Sequence, residues 1–304
     1  YLNKIFQSNK PLIIYKTMGG FDVYTDFNER IVLNSKNFKR FLNTKSNKLN
    51  SKIKELNCYI GFFGYELLCQ NINIKLPKQK TSNFYPGLVY KPQTLIKIRK
   101  NITIKSLLKH FRKKIPLQKN DNYFYEKKFN LNLNESQYSN LFKHFSKKIK
   151  LGETYQIKIC QTYSNKSNID AVNFFWKLMS INESPESFLI RDKDYSIISC
   201  SPETLIKKKK NTITTKPIAG TLNRTKKMTA KYAMSYFKKN EKESKEHNMI
   251  VDMERNDLSR ICKSGSVKIS KLKIVEEYRD LYHYVTEIKG TLKEKITNHD
   301  IISA

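Results

Sequence analysis

Between residues 135 and 160 the spacing of apolar side chains changes from a helical period to a two-residue one, and this change most constrains the fold. Tyr138, Leu141, Phe142, Phe145 and Ile149 recur three or four positions apart, which predicts a helix starting at Glu135 with one apolar face; Gly152 sits just past its expected end. From Tyr155 the pattern alternates. Tyr155, Ile157 and Ile159 stand between Gln156, Lys158 and Cys160, which predicts a strand with two different faces. The same reasoning predicts a helix over 171–179, strands near 187–190 and 195–200, a hairpin tipped by the Lys207 to Lys210 run, and a strand leading into Pro217. Residues 1–120 read as strands with turn signals at Gly19-Gly20 and Pro86-Gly87, mixed with lysine-rich helical stretches, and 117–122 reads as a surface connection. Helices and strands interleave without regular βαβ alternation, fixed-period repeat or glycine-rich nucleotide loop, so the pattern predicts an α+β protein.

The chain of 304 residues, with 17 Phe, 18 Tyr and 1 Trp, can bury a large core in one domain or two. Cys58, Cys69, Cys160, Cys200 and Cys262 are odd in number and contain no CxxC pair, which argues against a disulfide framework or zinc site and for a reducing cytoplasm. No apolar run reaches the length of a membrane span, and no signal peptide is visible, although the first residue is Tyr1. The expectation is a cytoplasmic protein without a membrane partner. A net charge of +31 raises one non-enzymatic alternative, a basic polyanion-binding protein, because a basic surface releases counterions from phosphates. The excess is mostly lysine scattered among Asn and Ile with no nucleic-acid-binding motif, so no nucleic-acid partner is expected. Such a surface would steer a small dianionic substrate.

The chemistry concentrates in Glu243-Ser-Lys-Glu-His-Asn-Met-Ile-Val-Asp-Met-Glu-Arg-Asn-Asp-Leu-Ser-Arg260. Glu243 and Glu246 lie three apart and share a face if this segment is helical. Paired carboxylates of this kind suit a hard cation such as Mg²⁺, with water and substrate oxygens completing its shell, or they form a solvated helix face. Five other segments accompany them in order: Gly61-Phe-Phe-Gly-Tyr-Glu66, Gly152-Glu-Thr-Tyr-Gln-Ile-Lys-Ile-Cys-Gln161, Ser201-Pro-Glu203, Lys216-Pro-Ile-Ala-Gly-Thr221, and Gly265-Ser-Val-Lys268 running on to His283. Together these resemble the chorismate-utilising enzymes, specifically component I of anthranilate synthase and of aminodeoxychorismate synthase. The resemblance is strongest from residue 125 onward.

The resemblance implies a large α+β core of mixed sheets shared by both halves of the chain, with an N-terminal region over 1–124 and a chorismate-binding catalytic domain over 125–304. It implies Glu203 as general acid/base, His283 as an active-site histidine near the leaving group, Ala219, Gly220 and Thr221 as a substrate-contacting loop, and Glu243 and Glu246 as Mg²⁺ ligands. Relatives that add water to chorismate use a lysine where this chain has Gln156. An amide cannot act as that base, so Gln156 argues for ammonia as nucleophile. Many aminodeoxychorismate synthases carry a lysine in place of Ala219, which favours the anthranilate branch; the Tyr155-Gln156 pairing and the compact spacing from Gly61 to Gly152 resemble the other branch. Ammonia would come from a separate glutamine amidotransferase subunit. Relatives continue beyond the position of Ala304 with a glycine- and proline-rich loop, a carboxylate-binding arginine and a second pair of Mg²⁺-ligating glutamates. The catalytic domain is therefore expected to be incomplete at its C-terminus, and the 304-residue chain alone to be inactive.

Overall fold

The computed structural model describes residues 2–44, 52–76, 84–109, 123–225 and 227–304. Along the chain come α1 (Leu2–Phe6), β1 (Leu12–Thr17), β2 (Gly20–Leu33), α2 (Phe38–Leu42), β3 (Ile60–Phe63), α3 (Tyr65–Asn71), β4 (Gly87–Ile98) and β5 (Ile102–Ser106). Then follow β6 (Asn130–Leu131), α4 (Glu135–Lys150), β7 (Tyr163–Ser164), α5 (Ala171–Ile181), β8 (Glu186–Arg191), β9 (Ser196–Ser201), β10 (Lys207–Lys209), β11 (Thr212–Thr215) and β12 (Ile218–Asn223). The last elements are α6 (Ala230–Lys239), α7 (Glu241–Ile261), β13 (Lys268–Glu277), β14 (Leu281–Thr291) and α8 (Asn298–Ser303). By contact the chain forms two compact units, residues 1–117 with 171–304, and residues 118–170. That contact partition does not test the boundary expected between 124 and 125. The surface connection expected over 117–122 lies outside the described residues.

In the larger unit, one antiparallel sheet has the order β3-β4-β2-β1-β8-β9, with β5 on β4. Its hairpin between β1 and β2 turns at Gly19, whose φ of +84° only glycine adopts without strain. β1 pairs with β2 on one side and with β8 on the other, so both halves of the chain share this sheet, as expected. Alternation then sorts the side chains. Leu12 and Ile14 point to a core with Val23, Ile96, Leu189 and Phe175 of α5, while Ile13 and Tyr15 point to the opposite face.

A second sheet runs β10-β11-β14-β12, with β13 pairing β14. β11 and β12 lie end to end along one edge of β14: Thr212–Thr215 opposes Ile288–Thr291, and Ile218–Asn223 opposes Leu281–Val285. Helices α6 and α7 cover one face. Phe237 stacks on Tyr284 at 5.0 Å with Ala233 and Tyr282 around them, and Val251, Leu258 and Ile261 pack on Ile213 and Ile288. Each such fully buried side chain contributes about 1.5–3 kcal/mol. The lysine hairpin forms as expected, with Lys210 at φ +54° in its turn and three exposed lysines along the edge strand β10. Charge on an exposed edge discourages pairing with another chain.

The smaller unit departs from expectation in one element. Helix α4 forms over the predicted residues, with a capping box between Asn134 and Gln137, and Gly152 follows it at φ +74°. The strand expected over 155–160 does not form; among the described residues of this unit, only the two-residue pair β6–β7 and the Phe124–Asn168 bridge make ladder bonds. Alternation specifies two faces but cannot provide the partner that a strand needs. No residue of α4 is buried, and Tyr138, Phe142 and Ile149 are 42%, 58% and 40% exposed.

Candidate active site

Two of the sequence motifs, the segment ending in Thr221 and the strand carrying His283, meet where β12 pairs with β14. Thr221 lies opposite His283 in register, so both side chains share the sheet face away from the helices, and Thr221 Oγ1 is 3.1 Å from His283 Nδ1. Between Ile218 and Thr221 the register shifts, so Ala219 and Gly220 form a bulge. Gly220 has φ +97°, and a Cβ there would stand 2.9 Å from the Phe237 ring and 3.1 Å from Glu243 Oε2. Only glycine fits. The absence of a side chain lets α7 bring a carboxylate against the backbone of the expected substrate loop.

Helix α7 begins where Asn240 Oδ1 accepts the Glu243 backbone N–H at 3.2 Å. Glu243, His247 and Glu254 recur at helical spacing on one stripe toward the sheet, with Glu246 beside them. Among the described residues no basic side chain forms an ion pair with Glu243, and no three His, Cys, Asp or Glu side chains gather in a metal-binding group. Two adjacent carboxylates are still a donor set that Mg²⁺ accepts, since it commonly takes one or two and fills its octahedron with water or substrate oxygens.

His283 is 7% exposed, and burial pushes its imidazole below the ordinary value, against the opposing influence of the Gly220 backbone and the charges of Glu276 and Glu203. It is therefore neutral near pH 7 and able to accept or donate a proton. Tyr278 meets it edge-on at 5.1 Å and donates its hydroxyl to Glu276 Oε2 at 2.9 Å, while Lys216 Nζ pairs with Glu276 Oε1 at 2.6 Å. Sequence reasoning missed Lys216 and Glu276 as a pair, because strand register brings them together across sixty positions of chain.

Glu203 follows β9 on an exposed segment where its N–H donates to Ser201 Oγ at 3.2 Å. It lines a cavity of about 700 Å³ on the face of the first sheet opposite α5, with Tyr15, Tyr24, Gly61, Glu186 and Ser201. Glu186 accepts hydrogen bonds there from Tyr15 Oη and from Thr204 Oγ1. Glu203 also exerts its charge on His283 and on Glu254. The Glu254 carboxyl is pushed up by burial, despite the bond at 2.6 Å from Thr215 Oγ1. Gln156 belongs to the smaller unit, half-buried in a segment without regular structure.

His247 lies within the acidic motif, whose residue pattern alone assigns it no role. It is fully buried, its Nε2 is 2.7 Å from Thr286 Oγ1, and its ring lies 4.8 Å from that of Tyr284. Burial, then the Lys273 charge, lowers its pKa to about 4. Its spacing of four from Glu243 is the signal that could have placed it on the same stripe.

A histidine and a threonine paired on one sheet face, beside a glycine bulge that a helix carboxylate approaches, form the candidate site. The chain belongs to the chorismate binding enzyme family, whose model matches residues 6–304. It is 33% identical over 171 residues to aminodeoxychorismate synthase component 1 of Bacillus subtilis, covering 56% of this chain and 36% of that protein. To anthranilate synthase component 1 of Saccharolobus solfataricus it is 32% identical over 173 residues, covering 57% of this chain and 41% of the relative. The chain thus spans less than half the length of these curated relatives. Its fold matches that of anthranilate synthase component I from Streptococcus pneumoniae with a TM-score of 0.71 and 22% identity, over 97% of this chain and 70% of the other. It also matches the menaquinone-specific isochorismate synthase of Escherichia coli, with a TM-score of 0.68 and 12% identity over 99% and 69% of the two chains. Among the described residues, no helix is long and apolar enough to cross a membrane.

Proposed function

We propose that this chain is the chorismate-aminating component of an anthranilate synthase, converting chorismate and ammonia to anthranilate, pyruvate and water. The observation that carries the reading is the meeting of Gly220, Thr221 and His283 with Glu243, with the charge of Glu203 acting on His283. Glu203 gives a proton to the departing ring hydroxyl, which leaves as water. His283, held by Thr221, takes or supplies a proton beside the same ring. Gly220 and Thr221 present backbone to the anionic substrate. Glu243 and Glu246 would hold Mg²⁺, which supplies positive charge for the substrate's carboxylate and hydroxyl oxygens. Gln156 in place of a lysine favours ammonia over water as nucleophile, which separates this reading from an isochorismate synthase. Ammonia comes from a separate glutamine amidotransferase subunit.

Aminodeoxychorismate synthase is the second reading, favoured by Tyr155-Gln156 and opposed by Ala219. The test is to give the purified chain, and any longer form its gene encodes, chorismate, Mg²⁺ and an ammonium salt while product fluorescence and pyruvate are followed together. Anthranilate with matching pyruvate is the expected result. Chorismate loss without pyruvate, giving p-aminobenzoate only after a lyase is added, would assign the chain to the second reading. Isochorismate as product would overturn both.

A further inference from the structure

We propose that His247 is a positioning residue that braces the Ala219–Gly220 peptide of the substrate loop from beneath the sheet, through a relay with Thr286. The proposal rests on the reading of 219–221 as a substrate loop. At the bulge between Ile218 and Thr221 the regular ladder to β14 is interrupted, so side chains must hold this backbone. From the outer face, His283 meets Thr221 Oγ1 and acts on the Gly220 backbone. On the helix face, among the described residues, His247 is the histidine at the bulge: its ring lies 4.8 Å from that of Tyr284, which stands on β14 between His283 and Val285, the partners of Thr221 and Ile218. Two imidazoles on opposite faces thus bracket three consecutive residues.

The inner brace is itself fixed. Thr286 is fully buried, its N–H donates to Pro217 O at 3.2 Å, and its Oγ1 accepts the Lys273 N–H at 3.1 Å and meets His247 Nε2 at 2.7 Å. Lys273 has φ +48° at a second irregularity, in β13, so this hydroxyl ties the distorted β13 to α7, while the Thr286 N–H holds the residue before β12. With Nε2 engaged by Thr286, Nδ1 is buried with no hydrogen-bond partner among the described residues, and the Ala219 backbone is the group that acts to raise its basicity against burial. A buried polar atom left incomplete costs free energy, so a small shift of the peptide toward it is favoured. His247 also lies one turn past Glu243, so the brace couples the loop to the carboxylate against Gly220.

The test compares Thr286→Val, which removes the hydroxyl, with Thr286→Ser, which retains it, and with His247→Gln. Amide hydrogen exchange is followed at residues 218–222, with chorismate KM and kcat read in the active form of the protein. Thr286→Val and His247→Gln are expected to speed exchange at 219–221 selectively and to lower kcat/KM by about tenfold, with Thr286→Ser close to the parent. Unchanged exchange at 219–221 in both variants would overturn the proposal, as would acceleration spread evenly over the sheet, which marks a merely structural role. Exchange needs no turnover, so a parent protein inert toward chorismate would sink the functional reading while leaving the brace decided by its own readout.

Discussion

At the scale of single residues, Gly220 and Asp192 show how differently position can matter. Alanine at Gly220 would be strained at φ +97° and would crowd both Phe237 and Glu243. Gly220→Ala should cost about 1–3 kcal/mol in denaturant unfolding and shift the Glu243 carboxylate; an unchanged midpoint would show that β12 relaxes there freely. Asp192 is buried, receives Arg30 Nη2 at 2.6 Å and Nε at 3.2 Å, and accepts the Tyr90 hydroxyl. Burial alone would raise its carboxyl, but the Arg30 and Tyr90 bonds win and hold it below the ordinary value of 3.8. Its contribution to stability is therefore present above pH 3.8 and is lost as pH falls through the lower folded value. Asp192→Asn should destabilise by roughly 2–4 kcal/mol at pH 7 and flatten acid unfolding below that point. An equally steep acid limb in the variant would show that other carboxylates control it. Glu203, Glu243, Gly220, Thr221 and His283 were legible as motif letters. The Lys216–Glu276 pair and the Asp192 network were not, because no local pattern encodes a partner brought in by strand register.

At the scale of elements, periodicity succeeded wherever an element could close its own hydrogen bonds. α4 and α5 form where helices are predicted, and the acidic motif is helical in α7, since helical bonds are internal to the segment. The strand read over 155–160 failed because its bonds had to come from elsewhere. α4 is the informative case for stability: none of its residues is buried, so its N-terminal capping box carries unusual weight. Asn134→Ala removes the oxygen that accepts the Gln137 N–H at 2.9 Å. Loss of about 1 kcal/mol of helix stability is expected, seen as faster amide exchange over Glu135–Tyr138. Parent-like exchange at those amides would mean that contacts of the helix body, not its cap, hold the first turn.

At the scale of the whole molecule, charge opposes compactness. With a net +31, like charges repel more over about 30 Å of screening length in 0.01 M salt than over about 8 Å in 0.15 M. The thermal midpoint should rise by roughly 2 °C or more between these conditions. A falling midpoint would show that attractive pairs such as Lys105 with Glu55 outweigh the repulsion. The sequence by itself determined the α+β class, the helices α4, α5 and α7, the turns at Gly19-Gly20 and Lys210, and the residue types of the candidate site, because period, turn chemistry and motif spacing are local properties of the chain. Only the tertiary structure decided that β1 joins β8, that Gly220 admits Glu243, and that His247 and His283 bracket one bulge. Those facts depend on which distant strands pair and in what register, and pairing is set by the packing of both halves together.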